Sequence, residues 1–416
     1  MTVAPGEVPV LAARTRVVDP LSSLLPILDA RAPLLFMRRG EGVAGLGEAL
    51  RLTFRGADRI AQAAETWRRI TASATIDDPV RKSGTGLLAF GAFTFDERSA
   101  FESVLIVPRT IVGRRDGVSW VTEVRVAGDD TEPPEAVARA LGAEFRLSLL
   151  PGEVGPARFR ELVADAVSRI RAGELRKVVL ARDLVGHLPE GGDLRRVLAE
   201  LALGYPDTWT FAIDGHLGSS PETLARVSHG KVTARVLAGS IARGADAESD
   251  HAAALRLATS TKDLDEHSYA VQSVLDALAP HARSGISASE IPFALKLPNL
   301  WHLATNIEGV LSDVSSALDL AAALHPTAAV AGTPTAKALE VIHELEPLDR
   351  GRYGGPVGWV DAAGDGKWAV SLRSAEVSPE GDIRAYAGGG ILAASDPDVE
   401  LAETKLKFRP IVEAFG

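Results

Sequence analysis

The order of helix-like and strand-like segments is the feature that most restricts the fold of this chain. Residues 156–172 place apolar side chains at the spacing of one buried helical stripe, and the apolar segment Lys177–Val185 follows as a strand. The same alternation continues to residues 383–387, with several gaps short enough for hairpins. This pattern predicts the α+β class, with large and mainly antiparallel β-sheets.

The same criteria predict the other elements of the chain. Predicted helices cover residues 58–71, 194–203, 247–278, 316–324 and 335–345. Predicted strands cover residues 33–39, 87–95, 103–112, 118–126, 209–214, 231–241, 302–311, 357–360, 368–377 and 383–387. Residues 1–30 are expected to be irregular, because four prolines interrupt any regular element there.

The length of the chain bears on its division into domains. A chain of 416 residues exceeds the usual size of a single hydrophobic core, and its length alone suggests two or three domains. The polar, proline-containing segment 127–134 is the strongest candidate for a boundary. Composition alone therefore favours a division near residue 130.

Composition and charge exclude several classes of protein. A net charge of −10 without a basic cluster argues against nucleic-acid binding. The absence of cysteine excludes disulfides, thiolate metal sites and a cysteine nucleophile, and it is typical of a reducing compartment. The N-terminus lacks a signal-peptide pattern, and Asp319, His325 and Pro326 interrupt the apolar segment 317–334, which argues against a membrane span. We therefore expect a cytoplasmic protein.

The C-terminal segment combines a glycine run with a predicted helix. Residues 386–391, YAGGGI, are predicted to end a strand in a turn at Gly388–Gly390, whose backbone amides could contact an anion or could simply form a turn. Residues 392–408 are predicted to form a helix with Ser395 or Asp396 as its N-cap and Pro397 at its first position.

Glu400, Glu403 and Lys407 share one face of this predicted helix, because they are three and four residues apart. Two carboxylates and an ammonium group at this spacing could hold a cation and an anionic ligand side by side. They could equally form a solvated face that is closed by an ion pair.

A second acidic pair, Asp263 and Glu266, lies three residues apart on the predicted helix 247–278, beside His267. Two such pairs on two helices could converge on Mg²⁺, which prefers carboxylate oxygens, or this pair could belong to a solvated face. His267 is interpreted as a packing residue rather than a ligand, because oxygen ligands suit Mg²⁺ better.

Lys177 and Glu222 are the candidates for proton transfer. Lys177 opens the apolar strand KVVLAR, where desolvation favours a neutral amine that can act as a general base. The alternative is an edge lysine whose ammonium group reaches solvent. Glu222, in the segment GSSPETL, could be a general acid or a surface glutamate.

Three further polar side chains occur among apolar neighbours. Arg373, in the predicted strand 368–377, could face a cavity and bind a carboxylate with two hydrogen bonds, or it could face the surface. Tyr353 and His302 also have apolar neighbours, and each is either a site residue or a satisfied core group.

Taken together, these segments resemble the chorismate-utilising enzymes, and within them the isochorismate synthases. The resemblance covers residues 155–416, with a weaker segment, GLLAFGAFTFDE, at 86–97. It rests on segments that occur in the family's order: KVVLAR at 177–182, GSSPETL at 218–224, LAGS at 237–240, STKDLDEH at 260–267, WHLAT at 301–305, HPTAAVAGTP at 325–334, ELEPLDRGRYGGPVGW at 344–359, SLR at 371–373, AGGGI at 387–391 and SDPDVELAETKLK at 395–407.

The resemblance implies one chorismate-binding domain over residues 1–416 rather than two domains. Strands and helices of residues 1–150 would then belong to the same core as the motif-bearing region 155–416, and the segment near residue 130 would be a loop. In this fold, antiparallel sheets pack together with helices outside.

The resemblance also implies chorismate as the substrate and Mg²⁺ as the cofactor. Glu266 and Glu400 match the family's direct Mg²⁺ ligands, and Asp263 and Glu403 match its supporting carboxylates.

In the same family, Lys177 matches the general base that activates water to attack C2 of chorismate. Glu222 matches the general acid that protonates the departing C4 hydroxyl group. The double bonds shift, and the product is isochorismate.

The positions that would hold the substrate are implied in the same way. Those on the side of the pyruvyl carboxylate are Arg373, Tyr353, Gly388 and Lys407. Those around the ring pocket are Ala238, Gly239, Ser240 and the neighbouring His302.

Isochorismate synthase is the main hypothesis, and salicylate synthase, which also eliminates pyruvate, is the alternative with the same residues. Ala238 stands where some aminodeoxychorismate synthases have a lysine, and Lys177 favours water over ammonia, so no glutaminase subunit is expected. The acids and the base are all present, which argues against a non-catalytic chorismate-binding relative. The family implies a monomer, whose product could feed menaquinone, catechol-siderophore or salicylate formation.

Overall fold

The computed structural model of the protein describes residues 9–296, 300–312 and 315–416, except for the side chains of Ser240, Ala242, Lys262, Glu266, Ser284 and Leu300. The helices in these residues are α1 (Arg59–Ser73), α2 (Pro156–Arg171), α3 (Leu194–Gly204), α4 (Ala247–Thr259), α5 (Thr261–Leu278), α6 (Ala317–Leu324), α7 (Thr335–Leu345) and α8 (Pro397–Phe415).

The strands are β1 (Leu11–Val18), β2 (Leu34–Arg38), β3 (Glu41–Leu46), β4 (Leu50–Phe54), β5 (Thr75–Asp77), β6 (Leu88–Ala92), β7 (Ser103–Val107), β8 (Thr110–Arg115), β9 (Val118–Val126), β10 (Leu150–Pro151), β11 (Lys177–His187), β12 (Trp209–Ile213), β13 (His216–Ser220), β14 (Thr223–Ser228), β15 (Lys231–Ala242), β16 (Ala282–Ala288), β17 (Phe293–Lys296), β18 (Leu300–Leu311), β19 (Gly332–Thr333), β20 (Pro356–Asp361), β21 (Gly366–Val370), β22 (Ser374–Val377) and β23 (Asp382–Ile391).

These strands form a larger sheet of 13 strands and a smaller sheet of 10 strands. The larger sheet has the order β10-β11-β23-β22-β13-β12-β2-β3-β8-β9-β1-β5, and β19 also pairs with β11. The smaller sheet has the order β16-β18-β15-β14-β21-β20-β6-β7-β4, and β17 also pairs with β18. Neighbouring strands pair antiparallel except β1 with β5, which agrees with the predicted fold class.

Apolar side chains cover both faces of the larger sheet. On one face, Phe36 and Trp120 belong to the same cluster as Phe90 and Trp368 of the smaller sheet, so the two sheets pack together. On the other face, a second cluster joins alternate residues of the same strands to helices α3 and α8, for example through Phe408. The period-two alternation of each strand thus separates a sheet–sheet core from a sheet–helix core.

Strands from the N-terminal region are paired with strands of the motif-bearing region in both sheets. In the larger sheet β2 lies beside β12, and in the smaller sheet β6 lies beside β20. The segment 129–149, which includes part of the predicted boundary, contains no helix or strand.

The chain passes directly from one sheet to the other at four short segments, one of which, residues 47–49, joins β3 to β4. Two others divide predicted single strands: residues 103–112 form β7 and β8, and residues 368–377 belong to β21 and β22. Pro108 lies at the first break, where it has no amide to donate to a ladder. Arg373 lies at the second, with φ of +48° in the left-handed region. The fourth segment, Pro221–Glu222, joins β13 to β14.

Two other predictions of local structure were wrong. The predicted helix 247–278 is two helices, because Ser260 is extended (ψ 110°) and caps α5 by accepting a hydrogen bond from the Asp263 amide. Residues 1–30 were expected to be irregular, but Leu11–Val18 forms a strand with alternating burial. The four prolines of residues 1–30 precede or follow this strand in the sequence. Across the described part of the chain, we found no helix with both the length and the apolar character of a membrane span.

Candidate active site

The glycine run predicted as a turn is instead the end of strand β23. Gly388, Gly389 and Gly390 pair with Ala181, Leu180 and Val179 of β11. A Cβ atom at position 389 would lie 2.9 Å from Glu400 Oε2, and one at position 390 would lie 2.7 Å from Lys177 Cε. These glycines are therefore needed because functional side chains cross directly over the strand, and not because the chain turns there.

Lys177 is half-buried at the first position of β11, beside β19. Its Cα pairs with that of Thr333, and its aliphatic chain crosses Gly390. The charge of Lys177 is felt by both Glu222 and His302, because it lowers the pKa of each. Lys177, Glu222 and His302, predicted as the base, the acid and part of the ring pocket, thus lie near one another around a space called the cleft.

Glu222 lies where the chain passes from the larger to the smaller sheet. Its amide donates to Ser220 Oγ at 3.2 Å, and its carbonyl accepts from the Val370 amide at 3.0 Å. Burial raises the pKa of its carboxyl group, although Lys177 and Lys407 act in the opposite direction. A glutamate held in this way retains its proton at higher pH, as a general acid requires.

Arg373 lies at the neighbouring passage, from β21 to β22. The Ser219 amide donates to its carbonyl at 3.1 Å, which fixes the backbone on the larger sheet. The guanidinium group is half-buried, and its burial lowers its pKa. Among the described residues, no carboxylate pairs with it, so its donors are available to an anionic ligand.

A buried polar network holds this second passage, and the sequence analysis did not find it. His216 has no exposed surface, its Nε2 is hydrogen-bonded to Ser371 Oγ, and its Nδ1 lies 3.0 Å from Glu376 Oε1. Ser371 Oγ also donates to Ser374 Oγ at 3.1 Å. Ser371 and Glu376 lie 155 and 160 residues from His216 along the chain, so no local pattern indicates them.

The side of the cleft formed by β23 and α8 carries Lys407, Tyr353 and Gly388. Lys407 Nζ donates to the Gly388 carbonyl at 2.8 Å and pairs with Glu403 at 2.6 Å. Tyr353 is buried and stacks on Tyr386 with ring centroids 5.4 Å apart. Its hydroxyl group is hydrogen-bonded to the backbone of Gly388. Burial raises the pKa of Tyr353 to about 12, so the hydroxyl group stays protonated.

Glu400 is buried on α8, over Gly389. Its Oε1 accepts a hydrogen bond of 2.6 Å from Ser395 Oγ. Burial raises the pKa of Glu400, the Ser395 hydrogen bond lowers it, and the negative charge of Glu403 raises it further. A bound cation would relieve both the cost of burying the Glu400 carboxylate and its repulsion by Glu403.

The opposite side of the cleft is formed by β15 and α5. Gly239, with φ of +77°, makes a bulge between Ala238 and Ser240 in the pairing with β18. A Cβ atom at Gly239 would lie 3.4 Å from Asp263 Cβ, so the acidic face of α5 packs on this bulge. His302 Nδ1 donates to the Gly239 carbonyl at 3.3 Å.

His267 is a packing residue, as interpreted from the sequence. Its Nδ1 donates to the Ala238 carbonyl at 3.0 Å, and its Nε2 accepts from Thr305 Oγ1 at 2.7 Å. Burial lowers its pKa, which keeps the ring neutral. The residue therefore fastens α5 to β15 and β18, and neither ring nitrogen is free for a metal.

The predicted metal ligands come from both sides of the cleft. Asp263 lies on the α5 side, Glu400 and Glu403 lie on the α8 side, and the side chains of Glu266 and Ser240 are outside the described residues. Among the described side chains, no group of three or more candidate ligands is close enough to hold a metal ion. The donor chemistry nevertheless fits Mg²⁺, because Glu400 is a buried carboxylate beside the negative charge of Glu403 and forms no ion pair with a described cation.

Comparison with known proteins identifies the family of the chain. The family model for chorismate binding enzymes matches residues 8–416, and the chain therefore belongs to this enzyme family. It is 38% identical over 341 residues to an isochorismate synthase of Bacillus subtilis, covering 79% of this chain and 81% of that protein. It is 34% identical over 445 residues to a salicylate biosynthesis isochorismate synthase of Pseudomonas aeruginosa, covering 98% and 90%.

Solved structures give the same result for the fold. A putative 2,3-dihydroxybenzoate-specific isochorismate synthase from Bacillus anthracis superposes with a TM-score of 0.71 at 30% identity, covering 94% of this chain and 98% of that chain. The menaquinone-specific isochorismate synthase of Escherichia coli has a TM-score of 0.74 at 22% identity, covering 98% and 96%, and supports the fold alone. The predicted family and fold class are confirmed.

Proposed function

We propose that the protein is an isochorismate synthase that converts chorismate to isochorismate with Mg²⁺ as cofactor. The observation that carries the proposal is the pair of Lys177 and Glu222 at one cleft, with burial raising the pKa of Glu222. The reaction adds water at one carbon and expels hydroxide at another. It therefore needs a base and a protonated acid in one site. Relatives named isochorismate synthases cover most of the chain.

In the proposed reaction, Lys177 removes a proton from a water molecule as its oxygen bonds to C2 of chorismate. The ring double bonds shift, the C4–oxygen bond breaks, and Glu222 gives its proton to the departing hydroxyl group. One water enters and one leaves, so the product is an isomer of the substrate.

The remaining residues are proposed to bind and orient chorismate. Arg373 and Lys407 would contact the pyruvyl carboxylate, supported by Tyr353 and the backbone at Gly388. Ala238, Gly239 and Ser240 would line the ring pocket next to His302.

Glu266 and Glu400 would hold Mg²⁺, with Asp263 and Glu403 as supporting carboxylates. When bound, the ion neutralises the ring carboxylate of the substrate. Without it, the buried Glu400 beside Glu403 would oppose an anionic substrate.

We also propose that the chain is one domain and acts in the cytoplasm as a monomer without a glutaminase subunit. The pairing of β2 with β12 and of β6 with β20 supports one domain, because separation at residue 130 would disrupt both sheets. Sedimentation of the purified protein would test the monomer, and a dimer would contradict it.

Product analysis tests the proposed function. Chorismate is incubated with the protein and Mg²⁺, with EDTA in a parallel sample, and the products are separated by chromatography. Isochorismate that disappears with EDTA is the expected result. Pyruvate and salicylate without an added lyase would assign the protein to the two-step salicylate synthases, and unchanged chorismate would refute the catalytic proposal.

A further inference from the structure

A cluster of positive charges surrounds Trp209 at one edge of the space between the two sheets. Arg38 of the larger sheet has its Cζ atom 5.3 Å from the centroid of the indole ring, and Lys367 of the smaller sheet has its Nζ atom 5.4 Å from it. Trp209 itself is buried, with 8% of its surface exposed, and stacks on Phe36. Two cations from different sheets therefore meet at one aromatic ring.

Two further arginines extend this cluster. Arg226 of β14 is the cross-strand partner of Lys367 of β21, so the two positive charges lie directly opposite each other. Arg115, at the end of β8, donates to the Ser83 carbonyl and acts electrostatically on Lys367. Like charges placed opposite each other in a sheet destabilise it.

Nearby acidic groups do not neutralise these cations. Glu41 and Asp116 raise the pKa of Lys367, but burial, Arg115 and Arg226 outweigh them and lower it to about 7. Asp207 raises the pKa of Arg38, but its carboxylate is already paired with Arg39 at 2.6 Å. Arg38 Nε is buried without a hydrogen-bond partner, and in the described part of the chain none of these four cations forms an ion pair with a carboxylate.

The composition of the chain makes this arrangement more informative. The chain has a net charge of −10, so carboxylates are more abundant than cations. Arg38, Arg115 and Lys367 are half-buried and Arg226 is exposed. Four neighbouring cations without a paired carboxylate, three of them half-buried, are costly in the absence of a counter-ion. Such a cluster would be stabilised by an anion that supplies several acceptor oxygens at once.

We propose that Arg38, Arg115, Arg226 and Lys367 form a binding site for a small oxyanion with two or more negative charges, such as a phosphate or a dicarboxylate. The site is distinct from the Lys177 cleft but lies close to it along the chain. Trp209 Nε1 donates to Thr223 Oγ1 at 2.8 Å, and Thr223 directly follows Glu222. The indole ring is therefore both a wall of the site and a fluorescent reporter of its occupancy.

Tryptophan fluorescence of the full chain, titrated with inorganic phosphate or with malonate up to ~10 mM against chloride of equal ionic strength, tests the proposal. A saturable change is expected in the wild-type protein and should be lost in Lys367→Met and Trp209→Phe. A saturable response to either anion supports the site, and the more effective one identifies whether phosphate or carboxylate geometry is preferred. No saturable response to either anion, or an equal response in Trp209→Phe, would overturn it.

The variant Arg373→Met separates this site from the Lys177 cleft. Arg373→Met should retain the response, because Arg373 belongs to the cleft; its loss there would place the anion in the cleft and overturn the proposal.

Calorimetry in two buffers of different ionisation enthalpy should show proton uptake by Lys367 on binding at pH 7.5. Lys367→Arg, which is always charged, should bind the anion without proton uptake. Unchanged proton uptake in Lys367→Arg would contradict the assignment of Lys367.

Discussion

Replacement of Gly390 by alanine should disable the proposed general base, Lys177, by displacing its side chain without changing its chemistry. The new Cβ atom would lie 2.7 Å from Lys177 Cε and 3.5 Å from Lys177 Nζ. Carbon atoms pack no closer than about 3.5 Å, so the end of the lysine must move by roughly 1 Å. A displacement of this size at a reacting group costs on the order of 10²-fold in rate.

The measurement is kcat for isochorismate formation, together with the free energy of unfolding from urea titrations. We expect kcat to fall by about 10²-fold, while overpacking costs ~1–3 kcal/mol of stability. Gly204→Ala is the matched control, because a Cβ atom there has no neighbour within 4 Å. It should leave kcat unchanged.

A double-mutant cycle makes the test specific to Lys177. In Lys177→Ala, the long side chain that the new methyl group meets is gone, so Gly390→Ala should cost little further stability. The reasoning is refuted if Gly390→Ala is folded and its kcat stays within about threefold of the wild-type value. Equal destabilisation in both backgrounds would show that the methyl group meets something other than Lys177.

The remaining predictions concern the proposed base Lys177, the proposed acid Glu222, Arg373 of the cleft, and His325, which lies outside the site. Lys177→Ala and Glu222→Gln should each lower kcat by about 10²–10⁴-fold with normal circular dichroism, and near-normal activity in either would remove that residue from its role. Because Glu222 must be protonated and burial raises its pKa, wild-type activity should fall as the pH rises through that raised pKa; a rate that rises through the same range would contradict the acid role. Arg373→Lys keeps a similar backbone strain at φ +48° but loses the bidentate fork, so KM for chorismate should rise about tenfold or more; an unchanged KM would show that Arg373 does not bind the substrate. Burial lowers the pKa of His325 to about 3, so the folded state disfavours its protonation, and the free energy of unfolding should fall by up to ~1.4 kcal/mol per pH unit as the pH drops below about 6.5. His325→Gln, which can still donate to the Phe95 carbonyl, should reduce this slope in urea titrations between pH 7 and pH 5, and an unchanged slope would assign the acid sensitivity elsewhere.

Local periodicity predicted the helices that bury one face and the strands that are buried along their whole length. Helix α2 was predicted within one residue of its observed end, because Phe159, Leu162, Val163, Ala166 and Ile170 form one apolar stripe that the structure buries. The passages between sheets were missed for the opposite reason. Residues 368–377 are apolar on both sides of the break, so the pattern does not change where the chain leaves one sheet for the other.

The acidic face of α8 illustrates what spacing can and cannot decide. The interval of three and four residues correctly places Glu400, Glu403 and Lys407 on one face of α8, and the interpretation of that face as a cation site stays a prediction. Glu403 and Lys407 form the ion pair of the solvated alternative, whereas Glu400 is buried and forms no ion pair among the described residues. Which of two carboxylates on one helical face is buried depends on the strand beneath it, and spacing contains no information about that strand.

Two of the passages between the sheets bring the backbones of Glu222 and Arg373 close to each other. Glu222 and Arg373 are distant in the chain, but each occupies a short segment between a strand of one sheet and a strand of the other. The Val370 amide donates to the Glu222 carbonyl, and the Ser219 amide donates to the Arg373 carbonyl, so each passage is hydrogen-bonded to the strand next to the other. Residues in such segments are released from the ladder and can direct their side chains into the space between the sheets. A substitution that restores a continuous strand at either passage should therefore displace both functional groups, even though it changes neither of them.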